Sequence, residues 1–171
     1  MRSIVIAKYK EDISWVQKIP KGWNIHIYDK DMENFPNAPG REAHTYLHFI
    51  YHNYDSLEGD YIFCQGNPFD HCPTFLDELY LGAISGKKYP CTRIDRSMPS
   101  DGKALQTAKA IEHLGLVVPE NWEFVAGANF KAKAADIKRH PKEFYKKCLD
   151  MTLTDPQSGY IFEGLWSFIL L

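Results

Sequence analysis

YIFCQGNPFDHCP, Tyr61–Pro73, decides how this chain is read. Tyr61, Ile62, Phe63 and Cys64 form a short apolar run of the kind that makes a buried strand, and the run stops at once in Gln65-Gly66-Asn67-Pro68, a turn composition. Asp70, His71 and Cys72 follow immediately. In open α/β sheets ligands bind outside the carboxyl ends of strands, where polar side chains leave the core and meet at a crevice. A strand that ends in potential ligands therefore marks a candidate site. The plain alternative is a tight loop whose Asn and Asp serve the local turn.

Outward from that strand the pattern alternates. Ser3–Ala7 (SIVIA) is a continuous apolar run, as in a strand covered on both faces, followed by the polar segment Lys8–Asp12 and a short helix carrying Trp15, Val16 and Ile19. Trp23–Tyr28 (WNIHIY) alternates as a second strand and ends in Asp29-Lys30-Asp31, and Asn34–Gly40 is loop. Arg41–Tyr54 is the clearest helix, with Ala43, Leu47, Ile50 and Tyr54 on one stripe. Further helices are expected at Thr74–Ile84, at Asp101–Leu114 behind a Ser100 cap, at Ala134–Arg139, at Pro141–Met151 and at Gly159–Leu170. Trp122–Ala132 reads as a strand broken at Gly127, and Ser85–Pro99 has no clear period. The prediction is one α/β domain, residues 1–171, with three layers and a mostly parallel central sheet.

Composition narrows the class. The 171 residues are 44% hydrophobic and 25% charged with a formal net charge of −2, which argues against a large nucleic-acid footprint. Cys64, Cys72, Cys91 and Cys148 show no C-x2-C spacing, so free thiols and a reduced, cytoplasmic setting are expected. No apolar stretch approaches the roughly 18 residues of a membrane span, and MRSIVIAKYK becomes charged too soon for a secretory signal.

Several residues carry candidate chemistry. His44, His48 and His52 recur every four positions on the Arg41–Tyr54 helix, a spacing that can bind zinc, although Thr45, Tyr46 and Leu47 stand where a zincin would carry its glutamate. Hydrogen-bonding roles for partly exposed histidines are the expectation. Arg41 and Glu42 open that helix, where an arginine fork and the helix terminus favour phosphate, while Glu42 also complements the dipole. Lys8 leaves the first strand, as a candidate diphosphate or ribose contact or as a solvated strand end. Glu163, within YIFEGLWSFIL, either faces solvent or is held in a site, where burial would suit it to general-base chemistry.

IVIAKYKEDISWV at Ile4–Val16, PGREAHTYLHFIYHNYDSL at Pro39–Leu57, IFCQGNPFDHCP at Ile62–Pro73, FVAGANFKAKAADIKRHPKEFY at Phe124–Tyr145 and YIFEGLWSFIL at Tyr160–Leu170 follow one another in an order that resembles an uncharacterised glycosyltransferase-like family with the GT-A nucleotide-sugar fold. The resemblance implies a compact Rossmann-like GT-A domain. It implies a nucleotide-diphosphate sugar donor, an acceptor hydroxyl on an unknown partner of glycan type, and Mg²⁺ or Mn²⁺ as the ion that binds the diphosphate. Where such enzymes carry an acidic Asp-x-Asp turn, this chain reads Gln65-Gly66-Asn67 with Asp70 three residues on. Amides are weaker ligands than carboxylates for hard cations, so Asp70 with Asn67 is the candidate metal pair. Donor contacts are implied at Lys8, Lys30, Arg41, Glu42, Gln65, Asn67 and His71. The acceptor pocket falls at Gly127, Ala128 and Asn129, and catalysis at Asp70 and at Glu163 as base. The rival readings are a non-catalytic sugar- or nucleotide-binding module of the same fold, and a metal-dependent hydrolase using Asp70, His71 and the helix histidines.

Overall fold

The computed structural model describes residues 2–31, 38–82, 84, 87–92, 103–118, 121–126 and 128–170. Strands β1 (Arg2–Lys8), β2 (Asn24–Asp29) and β3 (Asp60–Gln65) lie side by side in parallel, with β1 in the middle. Ile4 stands opposite Ile25 on one side and Ile62 on the other. Strand β6 (Phe130–Lys133) joins antiparallel to β3, giving the order β2-β1-β3-β6. Strands β4 (Lys87–Thr92) and β5 (Asn121–Ala126) form a separate antiparallel pair.

Both faces of the main sheet are covered, which is why β1 and β3 are apolar without alternation. Val5, Ala7, Tyr61 and Phe63 pack with α1 (Arg41–Asn53), α5 (Lys142–Thr154) and α6 (Ser158–Ile169). Ile4, Ile6, Ile62 and Cys64 pack on the other face with Trp15 and Ile19 from the 3-10 segment around Ser14–Lys18 and with Phe75 and Leu79 of α2 (Phe75–Leu81). The remaining helices are α3 (Lys103–His113) and the single turn α4 (Ala134–Ile137). The result is an open, mostly parallel sheet between helical layers.

Local sequence explains most of the boundaries and most of the departures from expectation. Helix α2 stops at Gly82, which takes φ +67 in its cap, so it is shorter than the expected Thr74–Ile84. The expected single strand Trp122–Ala132 is two strands in two different sheets, β5 and β6, and Ala128 between them has φ +48. Strand β4 was hidden in the stretch without a clear period, because Pro90 and the lysines 87 and 88 mask a strand pattern. In β2 it is His26 and Tyr28 that turn toward α1, His26 against Phe49 and Tyr28 against His48, while Ile25 and Ile27 remain 42% and 44% exposed. Of the three helix histidines, His44 is buried, His48 half-buried and His52 exposed; α5 and α6 also pack on α1, so its buried face is wider than one stripe. The expected Ser100 cap, the loop through position 37, and Gly127 lie outside the described residues.

Among the described residues no helix is long and apolar enough to cross a membrane. Cys64, Cys72 and Cys148 are free thiols, and burial pushes Cys64 well up and Cys148 to about 12.

Candidate functional site

The strand order makes the chain reverse across β1. The β1–β2 connection runs over one face and α1, between β2 and β3, over the other, so the carboxyl ends of the three strands share one rim. Beyond β1, the Lys8 ammonium pairs with the Asp29 carboxylate at the end of β2, and the Lys30 N–H continues the ladder to the Lys8 carbonyl at 2.9 Å. The chain turns at Lys10, φ +67, and brings Glu11 back over the rim. There Glu11 Oε2 accepts the Tyr9 N–H and lies over Gly66, where a Cβ would stand only 2.6 Å from it. Gly66 donates its N–H to the Ala7 carbonyl at 2.8 Å and accepts Trp15 Nε1–H at 2.8 Å. The turns after β1 and β3 are thereby locked together.

The opposite wall is the start of α1. Gly40 donates its N–H to the Thr152 carbonyl at 2.9 Å, in a contact where a Cβ would run into the Thr152 side chain. Arg41 then takes φ +51, a conformation that L side chains seldom adopt. Lys30 Nζ donates to the Arg41 carbonyl. The Arg41 side chain runs past Gly159, its guanidinium sits 5.5 Å from the centre of the Tyr160 ring, and it lies 3.8 Å from the Glu42 carboxylate. Glu42 Oε1 accepts from Gln65 Nε2 at 3.1 Å, which ties α1 to the end of β3. Between the walls is a cavity of about 300 Å³ lined by Ala7, Tyr9, Glu11, Lys30, Arg41 and Glu42.

The electrostatics are set mainly by burial. Lys30 is 7% exposed. Its ammonium is pulled down to about 8 by burial; Glu42 and Glu11 oppose the shift and Arg41 adds to it. His44, also buried, falls to about 4 through burial, Lys30 and His48, so it is neutral at pH 7. The fully buried Tyr46 hydroxyl has no hydrogen-bond partner among the described residues; burial raises it well above its usual range, with Cys64, Glu42 and Glu11 adding to the shift. A lysine and an arginine beside the start of a thirteen-residue helix can hold an anion by charge-assisted hydrogen bonds.

The expected site residues divide into groups. Lys8, Lys30, Arg41, Glu42 and Gln65 meet at this rim, with Lys30, Arg41 and Glu42 on the cavity wall. Asn129 is 2% exposed and fully engaged: its Oδ1 accepts the Gln65 N–H at 3.1 Å and its Nδ2 donates to the Pro68 carbonyl at 3.2 Å. It shapes the turn after β3. Ala128 is buried beside it. Asn67 is half-buried ahead of the 3-10 turn Pro68–Asp70, and Asp70 and His71 are exposed; none of the three is on the cavity wall. Glu163 is half-buried on α6, one turn beyond the Gly159 and Tyr160 that flank Arg41. Tyr9 and Glu11 line the cavity without having been expected there. Their signal was the polar run directly after β1, the same strand-end logic applied to β3.

Asp70 and Asn67 supply one carboxylate and one amide, whereas Mg²⁺ or Mn²⁺ favours six oxygen ligands rich in carboxylate or phosphate. Among the described residues no group of three His, Cys, Asp or Glu side chains is placed to hold an ion. One carboxylate and one amide would hold Mg²⁺ or Mn²⁺ together with the phosphate oxygens of a bound donor and water.

A family model described as a protein of unknown function (DUF3431) matches residues 4–80, less than half of the chain but including every residue on the cavity wall. No curated protein and no solved structure matches the chain. The similarity to that family therefore runs from within β1 to within α2 and takes in the cavity wall, but not the Thr152, Gly159 and Tyr160 contacts that brace Gly40 and Arg41.

Proposed function

We propose that the protein is a small glycosyltransferase of the GT-A kind that binds a nucleotide-diphosphate sugar at the β1–β2–α1 rim. The observation that carries the reading is the buried ammonium of Lys30 beside Arg41 at the carboxyl edge of a parallel sheet. The diphosphate lies on Lys30 and Arg41, and the exposed Tyr9 ring offers a face for the base. In transfer the bond between the anomeric carbon and the diphosphate oxygen breaks and the acceptor oxygen takes its place on that carbon. The departing diphosphate keeps the electron pair and its charge is held by the two cations. The acceptor proton goes to Glu163, whose place on α6 one turn beyond Tyr160 supports this role.

The test is calorimetric titration with nucleoside diphosphates and nucleotide sugars, with and without Mn²⁺, followed by assay of sugar release and transfer. A ligand at about 100 times its Kd stabilises the native state by roughly 2.7 kcal/mol, a rise of roughly 5–10 °C in Tm for a chain of this size. Asp70→Ala, assayed with and without Mn²⁺, tests whether the turn after β3 contributes. If neither class of ligand binds, the proposal fails.

The second reading is a binding module of the same fold without turnover. The amides Gln65 and Asn67 in place of an acidic turn favour it, with the Gln65 amide already committed to Glu42. Tight nucleotide-sugar binding without hydrolysis or transfer would select it.

A further inference from the structure

Lys30 is placed unlike the lysines of the surface. Lys8, Lys142 and Lys146 pair with the carboxylates of Asp29, Asp55 and Asp150, and those hydrogen bonds hold them in the ammonium form. Lys30 donates instead to a neutral acceptor, the Arg41 carbonyl, and is 7% exposed on the wall of a cavity. A neutral amine keeps that bond, because it still has N–H to give. Burial brings Lys30 down to about 8, so about a tenth of it is neutral at pH 7, against roughly a three-thousandth for a lysine at its usual 10.5.

The rest of the wall suits an amine that reacts. A phosphate site gains nothing from Glu11 and Glu42, since carboxylates repel an anion, whereas a cation formed on Lys30 is stabilised by both. Glu42 attracts the Lys30 charge more strongly than Glu11 does, and is steadied by Gln65 Nε2 and Arg41. The Arg41 guanidinium offers a fork for a phosphate on the same ligand. A desolvated lysine beside a second cation is an activated nucleophile toward carbonyl carbon. The cavity, about 300 Å³, stands at the small end of ligand sites, which run from about 300 to 1,000 Å³.

We infer that the Lys30 amine forms a Schiff base with a small phosphorylated aldehyde or ketone whose phosphate lies on Arg41. The Nζ lone pair bonds to the carbonyl carbon and the π pair moves to the oxygen. Of the three protons on the starting ammonium, two pass by way of Glu42 to that oxygen, which leaves as water with its bonding pair. The nitrogen lone pair closes the C=N bond, and the third proton stays on the iminium, where it serves the Arg41 carbonyl. The reaction needs the amine and the arginine, not a nucleotide, and so stands apart from the glycosyltransferase reading.

The wild-type chain is incubated at pH 7 with glyceraldehyde 3-phosphate and sodium cyanoborohydride, which reduces an iminium but not an aldehyde, and the adducts are located and timed by peptide mass spectrometry. Lys30 should be modified at least about tenfold faster than Lys8, Lys142 or Lys146, because so much more of it is neutral. Glyceraldehyde without phosphate should modify Lys30 at least about tenfold more slowly, the loss of a charge-assisted contact, and Arg41→Gln should slow the phosphorylated aldehyde to the same rate. Lys30→Gln, checked for an unchanged far-UV spectrum, should lose the fast adduct and keep the surface ones. A Lys30 that reacts no faster than the surface lysines overturns the inference, and leaves standing the diphosphate reading, which needs only the charge. A Lys30 that reacts fast but without preference for the phosphorylated aldehyde overturns it too. Fast, phosphate-dependent modification in a chain that binds no nucleotide upholds it while the glycosyltransferase reading fails.

Discussion

Replacing Lys30 with methionine should make the unliganded protein more stable at pH 7 while abolishing its affinity for a diphosphate. Lys30 falls from 10.5 to about 8 on folding. A pKa unit is worth about 1.36 kcal/mol, so the native state carries a penalty of roughly 3 kcal/mol while the lysine is charged in both states. Between about pH 8 and 10.5 the unfolded chain binds more protons than the native one, so stability rises with pH through that window; below pH 8 the whole penalty is present. Methionine keeps the length of the stem and removes the charge. It also removes the bond from Nζ to the Arg41 carbonyl, a charge-assisted hydrogen bond worth about 1.5–3 kcal/mol. The balance is a gain of about 1 kcal/mol at pH 7, or roughly 2–4 °C in Tm. Urea denaturation of both proteins from pH 6.5 to 10 measures it, because every other titrating group cancels in the difference. From pH 8 to 10 the wild type should gain roughly 2 kcal/mol on the variant. A difference that stays flat with pH would show that Lys30 is not held in this low-dielectric position and would refute the reasoning.

An anion bound at Lys30 restores its proton affinity, so diphosphate affinity should be full below about pH 8 and fall by up to tenfold per pH unit above it, as read by calorimetry in buffers of matched ionic strength. Asn129→Ala leaves the Gln65 N–H and the Pro68 carbonyl without their buried partner and should cost about 2–4 kcal/mol in chemical denaturation; a loss under 1 kcal/mol would mean that water replaces the amide. Glu163→Gln should leave donor binding within about twofold and cut transfer by at least ~10²-fold; full transfer activity in that variant removes Glu163 from the mechanism.

The core of the fold was legible because its signals are local. SIVIA and YIFC are strands covered on both faces, and Ala43, Leu47 and Ile50 are buried on α1 as their spacing requires. What was illegible depends on contacts distant in sequence. WNIHIY alternates, but only the position of α1 decides that His26 and Tyr28 turn inward. Trp122–Ala132 reads as one strand broken at Gly127 because nothing in it says that β5 pairs with β4 while β6 pairs with β3, more than 60 residues upstream. At the candidate site, the strand ends pointed to Lys8, Lys30 and Gln65 and the helix start to Arg41 and Glu42, and the fold brings these five together at one rim. Glu11 was passed over, because its place on the cavity wall depends on Gly66 being brought beneath it by the pairing of β1 with β3. Asn129 was expected to line an acceptor pocket; its hydrogen bonds assign it to the turn after β3, a role visible only once Gln65 and Pro68 are placed beside it.

Costs to stability gather on this rim. Lys30 is a buried ammonium, Arg41 is a non-glycine residue at φ +51, and Gly40, Gly66 and Gly159 each make an approach that a Cβ would obstruct. Strained backbone and buried charge persist where the surrounding structure enforces them, and they cluster at sites of function. A structural explanation is available for part of this: Lys30 ties down the Arg41 carbonyl and so supports the unusual start of α1. That task does not need a charge. A glutamine amide donates to a carbonyl with a far smaller desolvation cost than an ammonium. Burial outweighs the attraction of Glu42 and Glu11, and Arg41 opposes that attraction, so the Lys30 ammonium raises the free energy of the empty site, a cost that a bound anion offsets. The same charge that weakens the fold is what a phosphate would bind, and this opposition of signs ties the stability of the Lys30 variant to the loss of ligand affinity.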